Sequence, residues 1–456
     1  MSKKLFIKTF GCQMNVYDSS RMQAALKMQG YESTDKPGEA DIILLNTCHI
    51  REKAADKLYS EVGRLNVVKQ KRTEEGKTTL IIVAGCVVQA EGGELLSRMH
   101  GVDIAVGPQN YHLLPELVAK YDRKKGRVLV ADFPADSKFD YLPKHDANGP
   151  TAFVAIQEGC DKFCSYCVVP YTRGCEYSRS VREILDEARH LVETGAKEIM
   201  LLGQNVNCWH GAGLNGGEAD FGDLVRAVAG IDGLERLRYT TSYPSKMTDN
   251  LIRMHGELDN LMPYVHLPVQ SGSNTVLKAM NRQYTAAEYL DIVRRFREVR
   301  PDIAISSDFI VGFPGETDED FEQTLRLVEQ VGYASSFSFK YSARPGTPAS
   351  LMKNQVPESV KSDRLTRLQE LLLDQQKSFN LSMVGKELKV LLTEKGRKKG
   401  QLLGYTPYLQ PTHVTVDDGL FGKIITVKIT GATATSLTGE LNKSLLNDGL
   451  ANGVKM

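Results

Sequence analysis

Apolar and polar positions divide the chain into three stretches with different periods. Up to about residue 140, short apolar runs (KLFIKTF, DIILLN and TTLIIVAG) are separated by amphipathic segments such as DSSRMQAALKMQG. Strand-then-helix alternation of this kind predicts a parallel sheet. In FPADSKFDYLPKHDANGP the apolar period stops and Pro, Asp, Lys and Gly accumulate, so a linker is expected there. A second stretch starts near Thr151, where TAFVAIQ, EIMLLGQN, LERLRYTTS, MPYVHLPV, DIAISSDFIVGF and SSFSFKYS alternate with helical segments. Six strands in that order predict an open or partial (β/α)6 barrel, with its sites at the C-terminal strand ends. The amphipathic segment SVKSDRLTRLQELLLDQQKSFNLSMVG is expected to close it. Beyond it, KELKVLLTE, QLLGYTPY, THVTVD and GKIITVKIT read as short strands joined by turns, which predicts a small β-barrel. The expected fold class is α/β, with domains at residues 1–140, 146–380 and 383–448.

A chain of 456 residues is too long for one hydrophobic core, in line with several domains. Hydrophobic residues at 41% and charged residues at 25% exclude general disorder. The first residues lack a signal-length apolar region, and no run approaches the ~20 apolar residues that cross a bilayer. The expected location is therefore the cytoplasm, where thiols stay reduced. The eight cysteines then read as metal ligands, catalytic groups or buried small side chains rather than disulfides. A net charge of +1 gives no global sign of a nucleic-acid partner, so any such surface must be local.

The strongest local signal is GCDKFCSYC, in which Cys160, Cys164 and Cys167 follow directly on the run TAFVAIQ. Three thiolates so close in sequence converge on one small centre. Three ligands for a four-iron cube leave the fourth iron open to an exogenous ligand. A zinc knuckle or a set of unrelated buried cysteines is the competing reading. Zinc would want a fourth ligand, for which Cys175 is the nearby candidate, since no histidine lies between Lys162 and Ser180. Cys12, Cys48 and Cys86 are far apart in sequence, yet KTFGC, LLNTC and IVAGC each place a cysteine just past an apolar run. Parallel strands bring such ends to one crevice. Singly each reads as a buried structural residue; together they point to a second metal centre.

The segment GCDKFCSYCVVPYTRG resembles the radical S-adenosylmethionine motif. That resemblance implies that S-adenosylmethionine chelates the open iron through its amino and carboxylate groups, and that reduction releases a 5′-deoxyadenosyl radical. It also implies that Phe163 and Tyr166 line the adenine. Two three-cysteine sites, the second spaced C-x3-C-x2-C, resemble the radical methylthiotransferases over essentially the whole chain. In that family Cys12, Cys48 and Cys86 would hold an auxiliary 4Fe-4S cluster, Cys160, Cys164 and Cys167 the radical cluster, and the C-terminal barrel would be a TRAM domain. The implied reaction uses S-adenosylmethionine both as methyl donor and as radical source and inserts a methylthio group at an unactivated C–H bond. GCQMN and CVVPYTRG are similar to the MiaB-type branch, whose target is tRNA adenosine 37 already prenylated on N6. Other members act on threonylcarbamoyl adenosine of tRNA or on a ribosomal-protein aspartate. A reading of a different class is an RNA-binding protein with structural zinc.

The C-terminal stretch KELKVLLTEKGRKKG carries Lys386, Lys389, Lys395, Arg397, Lys398 and Lys399 against Glu387 and Glu394. Such an excess suits phosphate contacts, and charge alone leaves an ordinary solvated hairpin equally open. With the resemblance to TRAM, Lys389, Lys395, Arg397, Lys398 and Lys399 become expected RNA contacts. At predicted strand ends, Gln204, Asn205, Gln270, Asp308 and Arg344 are assigned to S-adenosylmethionine or the substrate base. Cys175 departs from the family pattern and Cys208 sits beside the sole Trp; neither is expected to be a ligand. His210 and His266 are candidate donors near the substrate, against the commoner surface or packing role of a lone histidine. The resemblance further implies a tRNA anticodon stem-loop and an external electron donor of flavodoxin or ferredoxin type as partners, no membrane, and a monomer.

Overall fold

The computed structural model describes residues 3–48, 52–124 and 126–441. The described chain forms two compact units. One comprises residues up to Asp146 with Gln157–Phe163 and Cys167–Tyr177; the other comprises Ala147–Ile156, Cys164–Tyr166 and the chain from Ser178 on.

In the first unit six parallel strands form one sheet, in the order Tyr31–Ser33, Lys3–Phe10, Ile42–Thr47, Leu80–Gly85, Ile104–Val106 and Val128–Val130. Three of these were expected from their apolar runs. The other three are three residues long, too short to show a period. Every residue of Ile42–Thr47 and Leu80–Gly85 is buried, as befits central strands covered on both faces. Two apolar layers cover the sheet, one around Leu44, Ile82 and Leu114 and the other around Ile43, Val83 and Leu65.

The expected linker contains a buried anchor. Lys138, 1% exposed, donates to Glu158 Oε1 at 2.6 Å and to the Pro108 carbonyl at 2.8 Å. Its local composition resembles a linker because its partners are 20 and 30 residues away.

The second unit contains the six expected parallel strands as two three-stranded sheets. One runs Arg236–Tyr239, Glu198–Leu202, Thr151–Ala155; the other runs Tyr264–His266, Ala304–Val311, Ser335–Lys340. A single parallel bridge, Leu237 to Leu261, lies between them. Helix starts follow the sequence closely. At Val181–Glu193, Ser180 Oγ accepts from the Glu183 N–H at 3.3 Å while Glu183 Oε2 accepts from the Ser180 N–H at 2.8 Å. Val181, Ile184, Leu185, Ala188 and Leu191 then form its buried stripe. The long helix Glu358–Leu381 packs on strand Ser335–Lys340, as expected of a closing element.

The C-terminal part is a closed five-stranded barrel, ordered Glu387–Lys395, Gln401–Tyr405, Pro411–Thr415, Leu437–Leu441, Ile424–Ala432. The fifth strand, Leu437–Leu441, was not expected. It closes the barrel by pairing in parallel with Pro411–Thr415. Residues 442–448 of the expected domain lie outside the described residues. Buried Arg236 and Arg238 tie this barrel to its unit: Arg238 donates to the Thr406 and Pro407 carbonyls, each at 2.8 Å, and Arg236 to those of Tyr405 and Lys389. Glu198, 2.9 Å from Arg238, supplies their counter-charge.

Candidate cluster sites

Cys12, Cys48 and Cys86 follow three adjacent strands of the first sheet, Lys3–Phe10, Ile42–Thr47 and Leu80–Gly85. Gly11 turns the chain at φ +132°, and a Cβ there would stand 2.6 Å from the Cys48 Cβ, so only glycine lets these strand ends approach. The Cys48 N–H donates to the Phe10 carbonyl at 3.1 Å. Behind the thiols, Asn46 Nδ2 donates to the Asn15 carbonyl at 2.8 Å and to Ser19 Oγ at 3.0 Å, which locks the turn after Cys12 to the strand before Cys48.

Arg173 faces this triad from within the same unit. Its guanidinium donates to Asp18 Oδ2 at 2.7 Å and to Glu158 Oε1 at 2.9 Å, and all three side chains are almost wholly buried. Hydrogen bonding from Cys48 holds the Cys12 thiol down at about 6; burial opposes this and the charge of Arg173 adds to it. Burial pushes the Cys86 thiol up, against the charge and hydrogen bond of Arg173.

The second cysteine set lies on the loop after Thr151–Ala155. The Cys160 N–H donates to the Gly174 carbonyl at 3.1 Å, and Cys167 Sγ accepts from the Val169 N–H at 3.5 Å. Cys164 Sγ accepts from Arg282 at 3.5 Å. Its neighbour Ser165 is held through its N–H to the Met280 carbonyl at 3.1 Å and its Oγ to the Ala279 carbonyl at 2.8 Å. Phe163 has φ +46° and is half exposed, while Tyr166 packs on the cluster around Met280 and Phe313.

All eight cysteines are free. Among the described residues, no three His, Cys, Asp or Glu side chains already surround one point in ligating geometry. The fit to iron-sulfur centres therefore rests on donor chemistry: reduced, mostly buried thiols in two sets, each beside a buried guanidinium.

In the sheet Tyr264–His266, Ala304–Val311, Ser335–Lys340, the face carrying Phe337 and Phe339 is exposed at its edge strand, whereas parallel sheets are normally covered on both faces. Register places His266 opposite Ser306 and Asp308 opposite Phe337 on that face. His266 Nδ1 meets Ser306 Oγ at 3.1 Å and its Nε2 lies 3.5 Å from Asp308, so His266 is part of this face rather than a surface residue. Phe337 is 52% exposed, and sequence reasoning missed it because SSFSFKYS reads as an ordinary strand. Gln270 has φ +73° and is buried, its N–H donating to the Asp308 carbonyl at 2.9 Å. Gln204 Oε1 is buried with no hydrogen-bond partner among the described residues. Asn205 is buried at the start of the turn Val206–Cys208. Arg344 is half buried on the loop after Ser335–Lys340, its carbonyl accepting from Thr347. Glu316, on the loop after Ala304–Val311, pairs with Arg364 at 2.8 Å.

In the barrel, Lys389 is exposed on its first strand, and Lys395, Arg397, Lys398 and Lys399 are exposed at the hairpin that ends it. Cys175 is exposed and Cys208 half buried.

Family models match three stretches: the Radical SAM superfamily at 154–328, Uncharacterized protein family UPF0004 at 4–107, and the TRAM domain at 381–441. The tRNA-2-methylthio-N(6)-dimethylallyladenosine synthase of Bartonella bacilliformis is 56% identical over 444 residues, 96% of each chain. That of Rickettsia canadensis is 56% identical over 97% of this chain and 100% of its own. The chain belongs to this synthase family. Among solved structures, the radical S-adenosylmethionine methyltransferase TsrM from Kitasatospora setae matches with TM-score 0.56 at 15% identity, over 77% of this chain and 75% of its own. The cobalamin-dependent radical enzyme OxsB matches with TM-score 0.52 at 12% identity, over 82% of this chain and 56% of its own. At such identity these two share the fold, whereas the synthase relatives share the sequence over nearly the full length.

Proposed function

We propose that this chain is a tRNA methylthiotransferase that places a methylthio group on C2 of N6-isopentenyladenosine at position 37. The observation that carries this reading is identity above half over nearly the full length of synthases so named, in a chain with both cysteine sets. Cys12, Cys48 and Cys86 would hold one 4Fe-4S cluster, and Cys160, Cys164 and Cys167 the other. When bound, the clusters and S-adenosylmethionine supply the one-electron chemistry that removes an unactivated hydrogen, and the sulfur and methyl that replace it.

The chain's own work is to bind and to orient. The face carrying His266, Asp308 and Phe337 offers an aromatic surface and polar groups for a purine, and Gln204 Oε1 offers a buried acceptor. Phe163 and Tyr166 flank Cys164 in sequence, where they would meet the adenine of S-adenosylmethionine. Asn205, Gln270 and Arg344 would complete these contacts. The exposed hairpin of Lys395, Arg397, Lys398 and Lys399, with Lys389, suits the phosphates of the anticodon stem-loop. The domains would run 1–140, 146–380 and 383–448. The electron donor would be a small flavodoxin or ferredoxin type protein, the location the cytoplasm, and the working form a monomer. No described helix is long and apolar enough to cross a membrane.

The decisive assay incubates the anaerobically reconstituted protein with S-adenosylmethionine, a strong reductant and tRNA bearing N6-isopentenyladenosine, and examines the nucleosides by mass spectrometry. The methylthio product should form with wild type. It should vanish, with 5′-deoxyadenosine still released, in Cys12→Ala, Cys48→Ala or Cys86→Ala. Turnover of threonylcarbamoyl adenosine instead would overturn the substrate assignment.

A further inference from the structure

Arg282 lies in KAMNRQYT, a segment whose sequence singles out nothing, and the structure buries it. Its Nε donates to Tyr284 Oη at 2.8 Å, one terminal nitrogen to the Pro268 carbonyl at 2.9 Å, and the other to Cys164 Sγ at 3.5 Å. Its guanidinium stands over the rings of Tyr243 and Tyr284, 4.4 and 5.1 Å from their centroids. Tyr284 Oη in turn donates to the Val269 carbonyl at 2.9 Å, and the Arg282 N–H donates to the Leu277 carbonyl at 2.8 Å, so the group is held from both ends.

What the site lacks is an acid. Among the described residues no carboxylate stands within ion-pair distance of Arg282, although its neighbours are fully accounted for. Six other buried arginines each have one: Arg72 has Asp41, Arg173 has Asp18, Arg179 has Glu187, Arg236 and Arg238 share Glu198, and Arg364 has Glu316. Buried arginines are rare unless paired, and a guanidinium does not shed its charge. Carbonyl dipoles and aromatic faces solvate it in part. The remaining direction open to a counter-charge is the Cys164 sulfur.

We propose that Arg282 is a positioning residue whose fixed charge balances the Cys164 thiolate and the cluster that Cys160, Cys164 and Cys167 hold, and so raises that cluster's reduction potential. This rests on the radical-cluster reading above. A positive charge and an N–H bond at the sulfur favour the more negative, reduced state, and both are among the levers that set cluster potentials.

The test uses the full chain in a Cys12→Ala, Cys48→Ala, Cys86→Ala background, so that one cluster signal remains. Wild type at 282, Arg282→Lys and Arg282→Gln are reconstituted anaerobically, assayed for iron per chain, and titrated with reductant under electron paramagnetic resonance. At a fixed potential, Arg282→Gln should show at least a tenfold lower ratio of reduced to oxidised cluster, a shift of about 59 mV to the negative for one electron. Arg282→Lys should stay close to wild type. Loss of iron in Arg282→Gln with retention in Arg282→Lys would also support the assignment. A wild-type potential in Arg282→Gln, an equal shift in both variants, or failure of both to fold by circular dichroism would overturn it and leave a packing strut. If the background protein itself bound no iron, the cluster reading would fall, and this assignment with it.

Discussion

Asp18 and Arg173 are 155 residues apart in sequence and 2.7 Å apart in space, and both side chains are buried. The helix Gln13–Lys27 that starts beside Cys12 is thereby tied to the segment that follows Cys167, within one compact unit. Glu158 and Lys138 complete a network of two acids and two bases. Arg173→Met would leave two buried carboxylates facing one amine. Breaking a buried ion network from one side costs roughly 3 to 5 kcal/mol. The urea midpoint at pH 7 should drop accordingly, whereas Arg367→Met, at an exposed pair with Glu322, should move it by less than about 1 kcal/mol. Equal effects in the two variants would contradict the network's role.

His255 gives the second unit a pH dependence. Its ring is wholly buried, Nε2 lies 2.7 Å from Tyr239 Oη, and Phe296 packs edge-on against it. Burial, helped by the charge of Arg300, holds its pKa down at about 3. The unfolded chain takes up the proton near pH 6.5 and the folded one does not. His255 therefore costs nothing above pH 6.5, and stability falls as pH drops from there toward 3, by about 1.4 kcal/mol per unit. Urea titrations at pH 7.0 and 5.0 should differ by about 2 kcal/mol more in wild type than in His255→Gln. Parallel pH profiles would remove His255 as the cause.

Residue pattern and structure agree where an element is long and its chemistry local. The cysteines after KTFGC, LLNTC and IVAGC could be placed because each ends an apolar run, and parallel pairing of those runs brings the ends side by side. The capping pairs Ser180 with Glu183 and Thr317 with Asp320 are equally local, three residues apart at the start of their helices. The strand Ile104–Val106 was lost because three residues carry no period, and Leu437–Leu441 because LTGEL has glycine and glutamate where apolar residues would mark a strand. Lys138, Arg173 and Arg282 were illegible for a different reason. Each has a decisive partner far along the chain, 20 residues for Lys138, 155 for Arg173 and 118 for Arg282, and nothing in the neighbouring residues distinguishes such a cation from a solvated one.

Gly159 sets the geometry of the residue that follows it. Its φ is +75°, and a Cβ there would lie 1.9 Å from the Cys175 carbonyl oxygen, so an alanine must displace backbone as well as adopt a disfavoured conformation. The loop carrying Cys160 would move with it. Gly159→Ala should retain the cluster on Cys12, Cys48 and Cys86 and lose the other, about half of the iron expected for two cubane clusters. Gly216→Ala serves as the control, since its φ is +78° but the space around it is open. Full iron in both variants would mean that Gly159 is not needed to hold Cys160 in place.

The barrel hairpin addresses affinity rather than chemistry. Arg397, Lys398 and Lys399 are exposed between strands Glu387–Lys395 and Gln401–Tyr405, and Lys395 has only a loose, solvent-exposed ion pair with Asp418 at 3.4 Å. Exposed pairs of that kind contribute little, so these charges remain available to phosphates. Replacing Arg397, Lys398 and Lys399 with Gln should weaken tRNA binding and reduce the slope of log affinity against log salt by roughly one for each phosphate contact removed. Release of 5′-deoxyadenosine without tRNA should be unaffected, because the cysteine sets lie on other elements. If affinity fell while the salt slope stayed constant, the hairpin would be acting on the barrel's fold and not on phosphates.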